Sequence, residues 1–87
     1  MAWVYILKLS NGLYYTGSTT NIEQRLRDHQ HGKSGYTCKH LPIELVFKQY
    51  YSNFSLARKT ENYIKKMKSK KFIEKIIQQK VINLPHL

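Results

Sequence analysis

Acidic side chains are scarce in this chain. Its only carboxylate residues are Glu23, Asp28, Glu44, Glu61 and Glu74, five against fifteen Lys and Arg. Scattered acids of that number do not supply a two-metal hydrolase site, which gathers several carboxylates at one spot. They leave room for one hard cation on one carboxylate, with water and phosphate oxygens completing its shell. Cysteine is scarcer still. Cys38 stands alone, which excludes an internal disulfide and suits a reducing cytoplasm. With His31, His40 and His86 it makes no zinc-like spacing. Long apolar runs are missing too. The strongest, Trp3 to Leu7, is too short for a signal peptide or a membrane span, so no membrane partner is expected. Repeats, Pro/Gly-rich linkers and low-complexity tracts are absent.

What is present is cationic and foldable. The 87 residues are 41% hydrophobic and 13% aromatic, a composition that predicts one ordered domain over 1–87 with a modest core. The formal charge of +10 favours a polyanionic partner, nucleic acid before membrane.

Residues 3–9 are β-rich with apolar side chains on both faces, which suits a central strand. Asn11-Gly12 signals a hairpin. Two registers are open. A two-residue loop pairs Lys8 with Tyr15 and sends Tyr5 and Tyr15 to opposite faces. A three-residue Ser10-Asn11-Gly12 loop, with Gly12 left-handed, pairs Leu7 with Tyr15 and puts both tyrosines on one face. Shared chemistry between them requires the second. Residues 17–20 read as a loop. Asn21 is an N-cap with Gln24 as its capping-box partner, opening a helix to about His31 with Ile22 and Leu26 inward. Arg25 and His29, one turn apart, project together from a neighbouring stripe. Gly32 ends that helix. Lys33, Tyr36, Lys39 and His40 follow in a loop closed by Pro42, a basic and aromatic mixture suited to nucleic acid. A third strand spans Ile43 to Tyr51, alternating around Leu45, Phe47 and Gln49. Asn53 or Ser55 opens a second helix to about Lys68, with Leu56, Thr60, Tyr63, Ile64 and Met67 inward and Glu61 beside that stripe. Ser69 caps a third, Lys70 to about Val81, whose apolar face is Phe72, Ile73, Ile76 and Ile77. Lysines 65, 66, 68, 70, 71 and 75 crowd the junction of these helices, a candidate phosphate track.

Val4-Tyr5 on the first strand and Tyr15-Thr16-Gly17 on the second, one hairpin apart, resemble the GIY-YIG nuclease signature. Arg25 and Glu61 follow in family order, so the resemblance spans nearly the whole chain. The segment Gly32-Lys33 to Tyr36-Thr37, then Pro42, is similar to the small stand-alone bacterial members. The "GIY" glycine is replaced by Trp3, and Thr16 stands in the middle of "YIG". The resemblance implies an α+β fold, a small three-stranded antiparallel sheet flanked by about three helices. It also implies a metal-dependent endonuclease acting on nucleic acid, DNA before RNA. In that picture Tyr5, before Tyr15, takes or relays the proton of the attacking water. Tyr15 orients water or phosphate, Arg25 clamps the phosphate, and His29 accepts the tyrosine's proton. Glu61 holds Mg²⁺ or Mn²⁺, and Lys33, Lys39, Lys65, Lys68 and Lys70 bind the nucleic acid. Tyrosine ionises near pH 10, so it needs nearby cations to act as a base.

Each residue also has a plainer reading. Tyrosines in a hairpin are commonly core residues with a bonded hydroxyl, Glu61 and Lys65 form an ordinary helix pair, and His29 suits a surface. A nucleic-acid-binding module that does not cleave needs only the basic surface. A protein-interaction domain needs only the charge for solubility. With no separate DNA-recognition domain read in the sequence, the substrate stays open, as does a protein partner for specificity.

Overall fold

The computed structural model describes residues 2–32 and 39–82. The sheet is antiparallel with strand order β2-β1-β3, made of β1 (Ala2–Lys8), β2 (Tyr14–Thr19) and β3 (Glu44–Tyr51). The helices are α1 (Ile22–Gln30), α2 (Phe54–Met67) and α3 (Lys70–Gln79). This is an α+β fold with the hairpin strand β1 at the centre, as its two-sided apolar pattern requires.

Alternation on β1 divides the core. Ala2, Val4 and Ile6 pack with Phe47, Ala57, Ile64, Ile76 and Ile82 on the α2–α3 side. Tyr5, Leu7 and Leu9 pack with Ile22 and the partly buried Leu26, Ile43 and Leu45 on the α1 side. Local chemistry starts each helix. Asn21, Asn53 and Ser69 accept the N–H of Gln24, Leu56 and Phe72 at 3.1, 2.8 and 3.1 Å, each satisfying one orphan donor of the first turn. The reciprocal half of the capping box is not made. Asn21 N–H goes to Thr19 Oγ1, and the Gln24 side chain turns to Asp28 and Arg27.

Three readings are corrected by packing. Gly17, Ser18 and Thr19 are strand, not loop, because they pair with Tyr5, Val4 and Trp3. Leu45 and Phe47 do not share a face. The register slips between Ile6 and Leu7, leaving Val46 as an extra residue. That bulge lets β3 cover both sides of β1. On α2 the buried residues are Ala57, Thr60 and Ile64, while Tyr63 and Met67 are 37% and 45% exposed, because the sheet covers only a narrow stripe of that helix. Lys33, Tyr36 and Cys38 lie outside the described residues.

Candidate active site

The hairpin decides which tyrosines meet. Leu9 N–H donates to Leu13 O at 2.8 Å, Gly12 N–H donates to Leu9 O at 3.0 Å, and Gly12 has φ +84°. The connection is therefore the three-residue loop, and only a residue free of Cβ crowding takes that φ at little cost. Leu7 pairs with Tyr15 and Tyr5 with Gly17, so Tyr5 and Tyr15 share the α1 face. The Tyr5 ring then lies across Gly17. A Cβ at position 17 would stand 2.6 Å from Tyr5 Cζ, inside van der Waals contact.

From above, α1 lowers Arg25 and His29 onto this pair. Tyr5 Oη is 2.9 Å from His29 Nε2 and receives the Arg25 Nε–H at 3.4 Å. His29 meets the rings of Tyr5 and Tyr15 edge-on, with centroids at 5.7 and 5.2 Å. It is 0% exposed, and so a core residue and not a surface one. The signal was in the spacing, for Ile22, Leu26 and His29 stand at i, i+4 and i+7 of one helical stripe. Burial, aided by the Arg25 charge, lowers the His29 pKa to about 4, which leaves a neutral ring with a lone pair at ordinary pH. Burial also raises the Tyr5 phenol above its usual value, and outweighs the opposing hydrogen bond and charge of Arg25. Arg25 does ease Tyr5 ionisation, as a base would need, but desolvation is larger and the net shift is upward. The hydrogen bond to Tyr5 raises the Arg25 pKa, so the guanidinium stays charged.

Glu61 comes from the other side of the sheet. On α2 it accepts a hydrogen bond from Ser18 Oγ on the edge strand β2, and its Oε2 pairs with Lys65 Nζ at 2.6 Å. Lys65 in turn lies 5.5 Å from the Tyr15 ring centre. Glu61 is near enough for its charge to raise the Tyr5 pKa. The cluster thus straddles β2, with Tyr5, Tyr15, Arg25 and His29 on one side and Glu61 on the other. Ser18 was not among the expected residues. Its signal is that it follows Gly17 and so points to the opposite face from Tyr15, toward α2.

Among the described residues no three His, Cys, Asp or Glu side chains stand close enough to share a metal ion. The donor set is one carboxylate. It fits a hard divalent cation that keeps most of its water and takes phosphate oxygens from a substrate. It does not fit a preformed metal cage. Of the expected nucleic-acid lysines, Lys65, Lys68 and Lys70 gather beside β2 around one cleft. Lys39 is exposed on the segment before β3, and Lys33 falls outside the described residues. No helix among the described residues is long and apolar enough to cross a membrane.

Comparison with known proteins agrees with the fold. The GIY-YIG catalytic domain family matches residues 1–75. A UPF0213 protein of Syntrophus aciditrophicus is 45% identical over 67 residues, which is 75% of this chain and 77% of that one. A UPF0213 protein of Bacillus licheniformis is 38% identical over 79 residues, 90% of this chain and 80% of that one. The solution NMR structure of a UPF0213 protein from Bacillus halodurans superposes with a TM-score of 0.61 at 32% identity, covering 92% of this chain and 86% of that chain.

Proposed function

The chain belongs to the GIY-YIG family, a nuclease family whose members generally use a divalent metal, and on that premise we propose that it is a single-domain endonuclease with a one-metal site. The observation that carries this reading is the Tyr5 hydroxyl, held between Arg25 Nε and the neutral His29 Nε2 within reach of the Glu61 charge. A core tyrosine needs one partner for its hydroxyl. This one has a fixed donor on one side and a neutral imidazole on the other, and with the proton on Nδ1 the His29 Nε2 accepts from the phenol, which is the arrangement a proton relay uses.

The chemistry follows from those atoms. The attacking water gives its proton to Tyr5 Oη as the phenol passes its own to His29 Nε2. Arg25 presents its planar fork to the phosphate oxygens and offsets the charge that builds on them. Tyr15 flanks the same space and orients the water or the phosphate. Glu61 would hold Mg²⁺ or Mn²⁺, which neutralises phosphate charge and assists the leaving oxygen. Lys65 already occupies Glu61 Oε2, so a cation there competes with an ammonium, and affinity in the free protein is low. The basic surface supports a nucleic-acid substrate, DNA before RNA, and the single Cys38 supports a cytoplasmic location.

The test compares purified wild type with Glu61→Gln on a branched DNA with Mn²⁺. Cleavage lost in the variant, with binding intact or slightly tighter because a negative charge near the phosphate has gone, supports the reading. Equal cleavage by both, or none by wild type on single-stranded, duplex, flap and branched substrates, overturns it.

A further inference from the structure

A cleft of about 350 Å³ opens beside the catalytic cluster, between the edge strand β2 and the junction of α2 and α3. Its lining is apolar at Ile64 and Ile73 and aromatic at Tyr14, which packs on the α2–α3 side of the sheet, while Tyr15 borders it from β2 with its ring packed on the α1 side. Its rim is cationic, from Lys65, Lys68 and Lys70. Two of the rim lysines lie over tyrosine rings, Lys65 at 5.5 Å from Tyr15 and Lys70 at 6.0 Å from Tyr14. Helix α3 begins at the same rim with Ser69 as its N-cap, which adds the positive end of a helix to the three ammonium groups.

An apolar lining with an aromatic wall suits a flat base, which stacks on any exposed ring face. A triple-lysine rim suits a phosphate. The backbone at the rim is unusual. Lys68 has φ +48°, a left-handed position where helices commonly end on glycine. A lysine there keeps a charge at the cleft mouth that glycine would remove.

We propose that this cleft binds one unpaired nucleotide of the nucleic-acid substrate, its base against Tyr14 over the apolar lining and its phosphate among Lys65, Lys68 and Lys70. A paired base cannot enter, because its faces are covered by its neighbours and its edge by its partner. The cleft shares Tyr15 and Lys65 with the catalytic cluster, so the unpaired nucleotide lies next to the phosphodiester that is cut. The inference rests on the nuclease reading for its substrate. Nucleotide binding at the cleft, however, needs neither metal nor Glu61, so either can fail without the other.

The experiment uses the isotopically labelled full chain in solution NMR, without metal, titrated with adenosine 5′-monophosphate and, separately, with inorganic phosphate at matched ionic strength. The nucleotide is expected to give saturable amide shifts on residues 14–16 and 64–73, and phosphate alone to leave β2 unmoved. Lys68→Gly is expected to weaken the nucleotide by about threefold or more through loss of a phosphate contact, with Lys80→Gly unchanged. Lys80 has the same left-handed backbone, φ +61°, and does not line the cleft, so it controls for charge and conformation together. A DNA duplex carrying a single-stranded branch is expected to bind about fivefold tighter than the plain duplex, the worth of one stacked base. That ratio should shrink in Lys68→Gly and persist in Glu61→Gln. Identical shifts with phosphate alone, shifts away from the cleft, equal effects of the two glycine variants, or no preference for the branch would each overturn the proposal.

Discussion

A methyl group at position 17 tests how the Tyr5 phenol is held. The backbone there is ordinary strand, so the only obstacle to alanine is the buried Tyr5 ring. Gly17→Ala should cost about 1–3 kcal/mol as an overpacked core does, read by urea denaturation, and should lower cleavage by moving Oη off His29 and Arg25. Tyr5→Phe is the contrasting variant, expected to keep the fold and lose most of the rate. The relay needs the phenol to carry its proton, and burial holds it above its usual value of 10.0, so wild-type cleavage should stay level from about pH 7 to about pH 9 without falling as a free tyrosine would begin to ionise. His29 makes a second pH statement. Its pKa falls from 6.5 in a free ring to about 4 in the fold. Above pH 6.5 the ring is neutral folded and unfolded, and its contribution is complete. As pH falls from 6.5 toward 4, the unfolded chain takes a proton that the folded chain refuses, and stability drops by roughly 3 kcal/mol. His29→Phe should show less of that drop in parallel denaturations at pH 7 and 4.5.

At the level of elements, β2 organises the site. As an edge strand it is reached from both sides of the sheet, so its odd residues serve α1 and its even residues serve α2. One short strand therefore brings Tyr15 and Ser18 to opposite halves of one cluster. The ends of α2 and α3 carry the measurable strain. Lys68 and Lys80 both stand in the left-handed region, where a side chain costs about 1 kcal/mol relative to glycine. Lys68→Gly and Lys80→Gly should each raise Tm by about 4–8 °C, and the two should add, being at separate helix ends. The helix starts were largely legible in sequence because capping is local: Asn21 and Ser69 each bond a backbone N–H three residues on, and of the two candidates for α2 it is Asn53 that does so. The bulge at Val46 was not. Nothing in residues 44–51 requires it, and it follows from fitting β3 to a strand that must be covered on both faces.

For the molecule as a whole, the charge of +10 predicts that phosphate contact is the main source of nucleic-acid affinity. If about six phosphates are neutralised, binding to duplex DNA should fall by about 10³ or more between roughly 50 and 200 mM salt, with little sequence preference. Fluorescence anisotropy across that range checks it. Salt-insensitive binding would point to a surface meant for a protein.

Sequence alone determined the element order, the hairpin, the caps Asn21 and Ser69 and the candidacy of Tyr5, Tyr15, Arg25 and Glu61, because these depend on neighbours a few residues apart or on a motif. It left two hairpin registers open, and tertiary packing chose the one that shares a face, since the α1 side needs Tyr5, Leu7 and Tyr15 together over Ile22 and Leu26. Only the tertiary structure decided that His29 is buried and neutral, that desolvation outweighs Arg25 at the Tyr5 phenol, and that Ser18 and Lys65 hold Glu61. Those are properties of burial and of contacts between residues up to 43 positions apart, which come into being when the sheet closes between its helices.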